Sequence, residues 1–184
     1  MKFLPLGLAA LIAAPAAASD WQLDPEASSV EFVTEAFGRD VTGSFSNFEA
    51  DIRLDPADLA NARIEGRVDV ESGDTGNPQY NSEMTGGDGL DAENHPFAVF
   101  TSTNVRPASD CAEGEGDCYR ADGMLTLRDA EQPAALLFRL LISGNRAVAD
   151  GELEIARDDF GVGAGNWGSA ARSVRVQLHI EASR

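Results

Sequence analysis

Basic residues are scarce in this chain. Of 184 residues only 14 are Lys or Arg, against 31 Asp and Glu, and the formal charge is −17. Lys2 is the single lysine. Nucleic-acid binding needs clustered cations, and anionic membranes or polyphosphates need a few arginines focused at one place, so this balance disfavours all three as partners. Long apolar runs are also missing. The longest, residues 3–14, falls well short of the roughly 20 residues of a spanning helix. Imidazoles are few: His95 precedes a proline in a turn, and His179 falls at an outward position of a strand. Neither sits in a Gly-x-Ser-x-Gly or His-Glu-x-x-His pattern, so no enzyme is expected. Oxygen-bearing side chains crowd at Asp88, Asp91, Glu93 and Asn94 without calcium-loop spacing, and no metal site is expected.

The N-terminus carries one charge at Lys2, the apolar run, and then Ala16-Ala17-Ala18. This is the pattern of a cleaved secretory leader over 1–18, leaving one domain over 19–184 and predicting export to a bacterial periplasm. No cysteine follows the cleavage point, which disfavours a lipid anchor. Export makes the pair Cys111 and Cys118 legible as a loop-closing disulfide, since two cysteines this close without a nearby His form no recognised metal set.

From residue 20 onward the apolar pattern has period two. Ile64, Val68 and Val70 alternate with their neighbours, Leu136, Phe138, Leu140 and Ile142 share one parity, and Val174, Val176, Leu178 and Ile180 alternate with polar residues near the C-terminus. With similar stretches at 29–37, 41–54, 97–105, 119–128 and 147–157 there are eight strands and little helix. The fold class is therefore all-β, an antiparallel sheet closed as a barrel or folded as a sandwich. One stretch, 76–86, permits a short helical turn. Alternation turns Phe32, Phe45, Phe97, Leu125, Phe138, Val176 and Leu178 inward. An eight-stranded barrel is just wide enough either to fill itself or to hold one small ligand, so these residues make a dry core or line a cavity, and periodicity leaves both open.

Trp21-Gln-Leu-Asp-Pro-Glu-Ala-Ser-Ser-Val-Glu-Phe32 followed by Val41-Thr-Gly-Ser-Phe-Ser-Asn-Phe48 resembles the opening of the YceI-like family of exported polyisoprenoid-binding proteins. Asp74-Thr-Gly-Asn77, His95-Pro-Phe-Ala-Val-Phe-Thr-Ser-Thr103 and Gly123-Met-Leu-Thr-Leu-Arg128 follow in the family's order. The ending Arg157-Asp-Asp-Phe-Gly-Val-Gly-Ala-Gly-Asn-Trp167 is similar to members associated with cytochrome b561-like proteins. The resemblance implies an extended, lipocalin-like eight-stranded barrel whose lumen carries an isoprenoid chain, with no covalent cofactor. It also implies a cytochrome b561-like membrane protein as a partner. The rival reading is a non-catalytic barrel or sandwich acting through protein contacts; monomer and homodimer stay equally open.

After Thr75-Gly76-Asn77 many members of that family carry an Arg-Asp pair and then a His. This chain has Tyr80, Asn81 and Glu83 instead. Losing a guanidinium and an imidazole while gaining a carboxylate weakens phosphate recognition, so a quinone head group is expected over polyprenyl phosphate, met by Asn77, Tyr80, Asn81 and Arg157. Phe160 and Trp167 flank three glycines, 161, 163 and 165, in the last motif, and Gly168 follows. They read either as a gate folding over the ligand or as aromatic plugs at one barrel end.

Overall fold

The computed structural model describes residues 20–165 and 167–184; the leader read over 1–18 lies outside the described residues. Among the described residues the period-two stretches form ten strands: β1 Asp20–Ala36, β2 Arg39–Phe45, β3 Phe48–Arg53, β4 Arg63–Asp69, β5 Gly73–Asp74, β6 Phe97–Pro107, β7 Asp117–Leu127, β8 Ala130–Ser143, β9 Arg146–Ala156 and β10 Ser173–Ser183. One helix, α1, spans Pro78–Thr85, inside the stretch expected to turn.

The ten segments make eight staves. β2 and β3 both run antiparallel to β1, Val30 facing Phe45 and Trp21 facing Ile52, so they are one long strand broken near 46–47. β4 and β5 are likewise one stave interrupted by a turn of 3-10 helix at Val70–Ser72. Each stave is antiparallel to the next in chain order, and β10 returns to pair with β1, which closes the barrel. Closure leaves no sheet edge to recruit another chain.

β1 spans 17 residues because it carries a bulge. Between Asp24 and Ser29 its register against β10 shifts. Asp24 Oδ1 accepts from Glu26 N at 3.2 Å, and Ser28 Oγ accepts from Glu181 N at 2.9 Å, so the extra backbone is satisfied locally. Such bulges bend a strand, as a closing barrel needs.

The two ends differ in construction. At the floor, Trp21 Nε1 donates to Leu54 O at 2.9 Å while the Arg184 guanidinium lies 4.6 Å from the centre of the Trp21 ring. Tyr119 and Phe138 stack there with centroids 5.7 Å apart, and burial pushes the Tyr119 phenol pKa up. The Cys111–Cys118 disulfide closes the β6–β7 loop, with a Cα separation of 5.8 Å. Arg139, donating to Ala112 O and Gly116 O, ties that loop to β8. At the opposite end, which we call the mouth, the β1–β2 turn, α1 with its following loop, and residues 157–172 meet.

Phe97 corrects the inward set. It faces outward, 38% exposed, with the Arg67 guanidinium 3.5 Å above its ring. In β6 the inward positions are Ala98 and Phe100, because Val68 of β4 faces Ala98 and Asp69 faces Phe97. A shift of one residue exchanges the faces of a strand.

The chain-entropy model gives a loop of this length roughly 2–3 kcal/mol of stabilisation. Urea unfolding of a Cys111→Ser, Cys118→Ser variant is expected to show that loss.

Candidate functional site

Inside the barrel lies a cavity of about 340 Å³. Its wall is overwhelmingly apolar, drawn from inward positions of all eight staves, among them Val30, Ala50, Val68, Leu125, Leu153 and Val176. Five of the predicted inward residues, Phe32, Phe45, Leu125, Val176 and Leu178, stand on this wall, and so does Trp167. Phe138 instead lines a separate void of about 70 Å³ nearer the floor. Phe160 packs into the core around β8 without reaching either space.

The hollow survives because aromatic rings lie across glycines. Phe32 pairs with Gly43, and a Cβ on Gly43 would collide with the Phe32 ring. Phe45 pairs with Gly73, where an added Cβ would meet Phe45 Cε1 at 2.9 Å and Met84 Cε at 2.5 Å. Phe100 lies over Gly123 in the same manner, its Cζ 2.8 Å from where a Cβ would stand. The two rings of Phe32 and Phe45 are neighbours, 5.4 Å between centroids. Gly66 is the converse, with nothing within 4 Å of a Cβ placed there, so it faces open lumen.

The helix α1 roofs part of the mouth. Asn77 caps it, Oδ1 accepting from Gln79 N at 2.9 Å, and Pro78 occupies its first turn, both standard helix-start signals. Positions 80, 83 and 84 share one helical face, which turns Tyr80, Glu83 and Met84 to the cavity. Asn81 faces the other way. Its Nδ2 donates to Asp74 Oδ1 at 2.7 Å, and its Oδ1 accepts from Thr75 N at 2.8 Å and Thr75 Oγ1 at 2.6 Å. The Asn81 amide, and then the Gly76 N–H, hold the Asp74 carboxyl below its ordinary pKa. Asn77 and Asn81 are therefore occupied in building the junction of β5 and α1. Of the residues expected at a head group, Tyr80 alone turns its side chain to the lumen without a structural duty there.

Arg157 is on the wall, yet its donors are spent. Nε donates to Ala171 O at 2.8 Å, Nη1 to Val162 O at 2.8 Å and Gly163 O at 3.4 Å, and Nη2 to Trp167 O at 3.1 Å and Ala170 O at 3.0 Å. These use all five N–H groups of a guanidinium. Arg157 is the clasp of the glycine-rich segment, and the segment is a pinned cap at the mouth. Asp88 fastens the same segment to the loop after α1, its carbonyl accepting from Gly163 N at 2.6 Å and its Oδ1 from Gly165 N at 2.9 Å. Arg128 Nη1 spans Gly89 O and Gly161 O, both at 2.9 Å.

Periodicity gave no sign of Phe37, Met84, Val162 and Ser169, which also line the cavity. Phe37 is 74% exposed and holds φ +54° in the β1–β2 turn, an uncommon state for a bulky residue. Its N–H donates to Ser169 O at 3.2 Å, joining the turn to the cap. The histidines lie away from the cavity wall. His95 Nε2 stands 3.4 Å from Asp129 and 3.7 Å from Asp91. His179 is on the outer face against Asp150 at 2.6 Å, and that hydrogen bond raises its pKa above 6.5. Among the described residues no three His, Cys, Asp or Glu side chains are grouped to hold a metal.

The profile of the YceI-like domain matches residues 21–182. The chain belongs to the YceI-like family. A UPF0312 protein of Pseudomonas fluorescens is 31% identical, over 97% of this chain and 93% of its own length. Another from Pseudomonas paraeruginosa is 27% identical, over 98% and 95%. Among solved structures BcnA of Burkholderia cenocepacia superposes with a TM-score of 0.81 at 30% identity, covering 88% of this chain and all 100% of that one. A polyisoprenoid-binding domain from Saccharophagus degradans shares the fold, with a TM-score of 0.69 at 18% identity, covering 89% and 97%. In this YceI-like barrel, then, the family fold encloses a real hollow.

The glycine placements give a paired expectation. Gly43→Ala forces the Phe32 ring off the wall and costs about 1–3 kcal/mol, in the range of core overpacking, whereas Gly66→Ala changes stability by less than about 1 kcal/mol. Urea denaturation of both variants checks it; equal effects would show that Gly43 is not under the ring.

Proposed function

We propose that this chain is a periplasmic carrier, exported by its leader, that holds an isoprenoid lipid in the barrel lumen, a quinone in preference to a polyprenyl phosphate. One observation carries the reading: an apolar cavity of about 340 Å³ inside a closed barrel, its lining reaching Phe37, Tyr80 and Trp167 at the mouth. Membership of the YceI-like family and the shared fold of a neighbour described as polyisoprenoid-binding support it.

Each methylene moved from water to such a wall contributes about 0.8 kcal/mol, and ordering and immobilising the chain takes back several kcal/mol, so submicromolar binding is expected. The apolar wall supplies affinity without discrimination. Discrimination falls to the mouth, where Thr34, Thr75, Tyr80, Glu83 and Ser169 are polar residues on the lining; Glu49, opposite Arg67, is a further acid on it.

The preference for a neutral head group rests on charge. Of the two guanidiniums on the lining, Arg157 has its donors committed to backbone carbonyls, and Arg67 lies over Phe97. Glu83 adds a carboxylate beside Tyr80. A phosphate entering here would give up its hydration for few donors and a like charge. A quinone carbonyl needs one hydrogen-bond donor, and the Tyr80 hydroxyl supplies it. A cytochrome b561-like electron-transfer protein is the partner that suits this cargo.

Mass spectrometry of an organic extract of the protein purified from its own periplasm tests the proposal, with ultraviolet difference spectra before and after borohydride. A reducible quinone is the expected result. A polyprenyl phosphate would overturn the head-group preference and keep the carrier; an extract without lipid, and no uptake of added quinone, would overturn the carrier.

A further inference from the structure

Most hydrogen-bond donors at the mouth are already spent. The Thr34 hydroxyl donates to Ser173 O at 3.0 Å, and the Thr75 hydroxyl to Asn81 Oδ1 at 2.6 Å. Arg157 has given its N–H groups to backbone carbonyls. At the start of α1 the Gln79 and Tyr80 N–H groups go to Asn77 Oδ1. Glu49 stands between Phe48 and Ala50, and Arg67 between Gly66 and Val68, so strand alternation turns both of these charged side chains outward, where they are exposed.

What is left among the described lining residues is rich in acceptors. A carboxylate carries acceptors alone, about four lone-pair sites, and Gln79 Nε2 fills one of those on Glu83 at 3.1 Å. The hydroxyls of Tyr80 and Ser169, also on the lining, each hold one O–H and accept as well. Met84, on the same face of α1 as Glu83, offers a weak thioether acceptor.

The two oxidation states of a quinone differ in this respect. The oxidised form presents carbonyls, which accept; the reduced form, the quinol, presents hydroxyls, which donate and accept. A carbonyl set against Glu83 brings oxygen lone pairs up to a carboxylate, whereas a quinol hydroxyl gives that carboxylate a charge-assisted hydrogen bond. Tyr80 serves both forms, donating to a carbonyl or to a hydroxyl oxygen. Resting on the carrier reading above, we propose that the mouth selects the reduced state of its cargo: it holds a quinol more tightly than the corresponding quinone, and Glu83 is the residue that discriminates. Glu83 is exposed, so water competes for it and the preference is severalfold rather than extreme. By linkage, tighter binding of the quinol raises the midpoint potential of the bound couple by about 30 mV per tenfold for two electrons. The bound cargo is then harder to oxidise than the free one.

Equilibrium dialysis of the protein under nitrogen against decylubiquinone and against decylubiquinol measures the selection, since the two probes share a tail and differ by two electrons and two protons. The quinol is expected to bind at least about threefold tighter, which corresponds to about 14 mV in the bound couple. Glu83→Gln, whose amide both donates and accepts, is expected to bring the two Kd values together. Glu115→Gln removes an equal charge from the Cys111–Cys118 loop at the floor and is expected to leave their ratio unchanged; thermal melts show that both variants are folded. The wild-type pair decides the selection alone. A ratio below threefold, or tighter binding of the quinone, overturns it and leaves the carrier reading standing. A ratio that survives Glu83→Gln, or that Glu115→Gln lowers as far, overturns the role of Glu83. Binding of neither probe overturns the carrier reading and the selection together.

Discussion

Three phenylalanine rings lie along the barrel wall because a glycine stands beneath each: Phe32 across Gly43, Phe45 across Gly73 and Phe100 across Gly123. An eight-stranded barrel is barely wide enough to stay empty. Rings projecting toward its axis would fill it and make an ordinary core, so the hollow depends on this pairing of a large residue with none at all on the adjoining stave. The pairing in turn depends on register, since Phe32 faces Gly43 and Phe45 faces Gly73 only in the observed alignment of β1, β2 and β5.

The two ends are built differently. The floor is aromatic, stapled by Cys111–Cys118 and sealed by Trp21. The mouth is built of loops held by polar contacts: Arg157 on five carbonyls, Asp88 on Gly163 and Gly165, Asn81 on Asp74 and Thr75. Loops carried by a rigid scaffold are where binding residues are found. Here the loops themselves are fixed by groups that a reading of residue types takes for ligand contacts. A guanidinium at a cavity rim looks like an anion receptor until its donors are counted.

The barrel was legible in the sequence because half-buried strands advertise themselves every second residue. Each of the eight staves covers a stretch that the alternation sets, although β1 begins at Asp20 rather than 29 and β8 at Ala130 rather than 136, and the helical turn falls within 76–86. Phe97 was misread for the same reason that others were read correctly. In Phe97-Ala-Val-Phe100 the two aromatics have opposite parity, so only one of them can face inward, and the cross-strand partner Val68 selects Phe100 by placing Ala98 inside. The duties of Asn77, Asn81 and Arg157 were not legible, since their partners are backbone groups brought together by loop folding. Phe138 had the right parity and the wrong depth, being a floor residue; parity says which way a side chain points and nothing about how far along the axis it lies.

The central claim is that the empty lumen, entered tail first, is where this YceI-like protein holds its ligand. Intermolecular nuclear Overhauser effects between a short polyprenyl alcohol and the protein's methyl and aromatic protons test this directly. The account predicts contacts from the chain's terminal methyls to Ile52 and Ile64, which line both the main cavity and the void nearer the floor, and from its hydroxyl end to Tyr80 and Trp167 at the mouth. Contacts confined to exposed apolar residues of the outer face, such as Phe97 or Leu141, or an entry with the hydroxyl at Ile52 and Ile64, would contradict it.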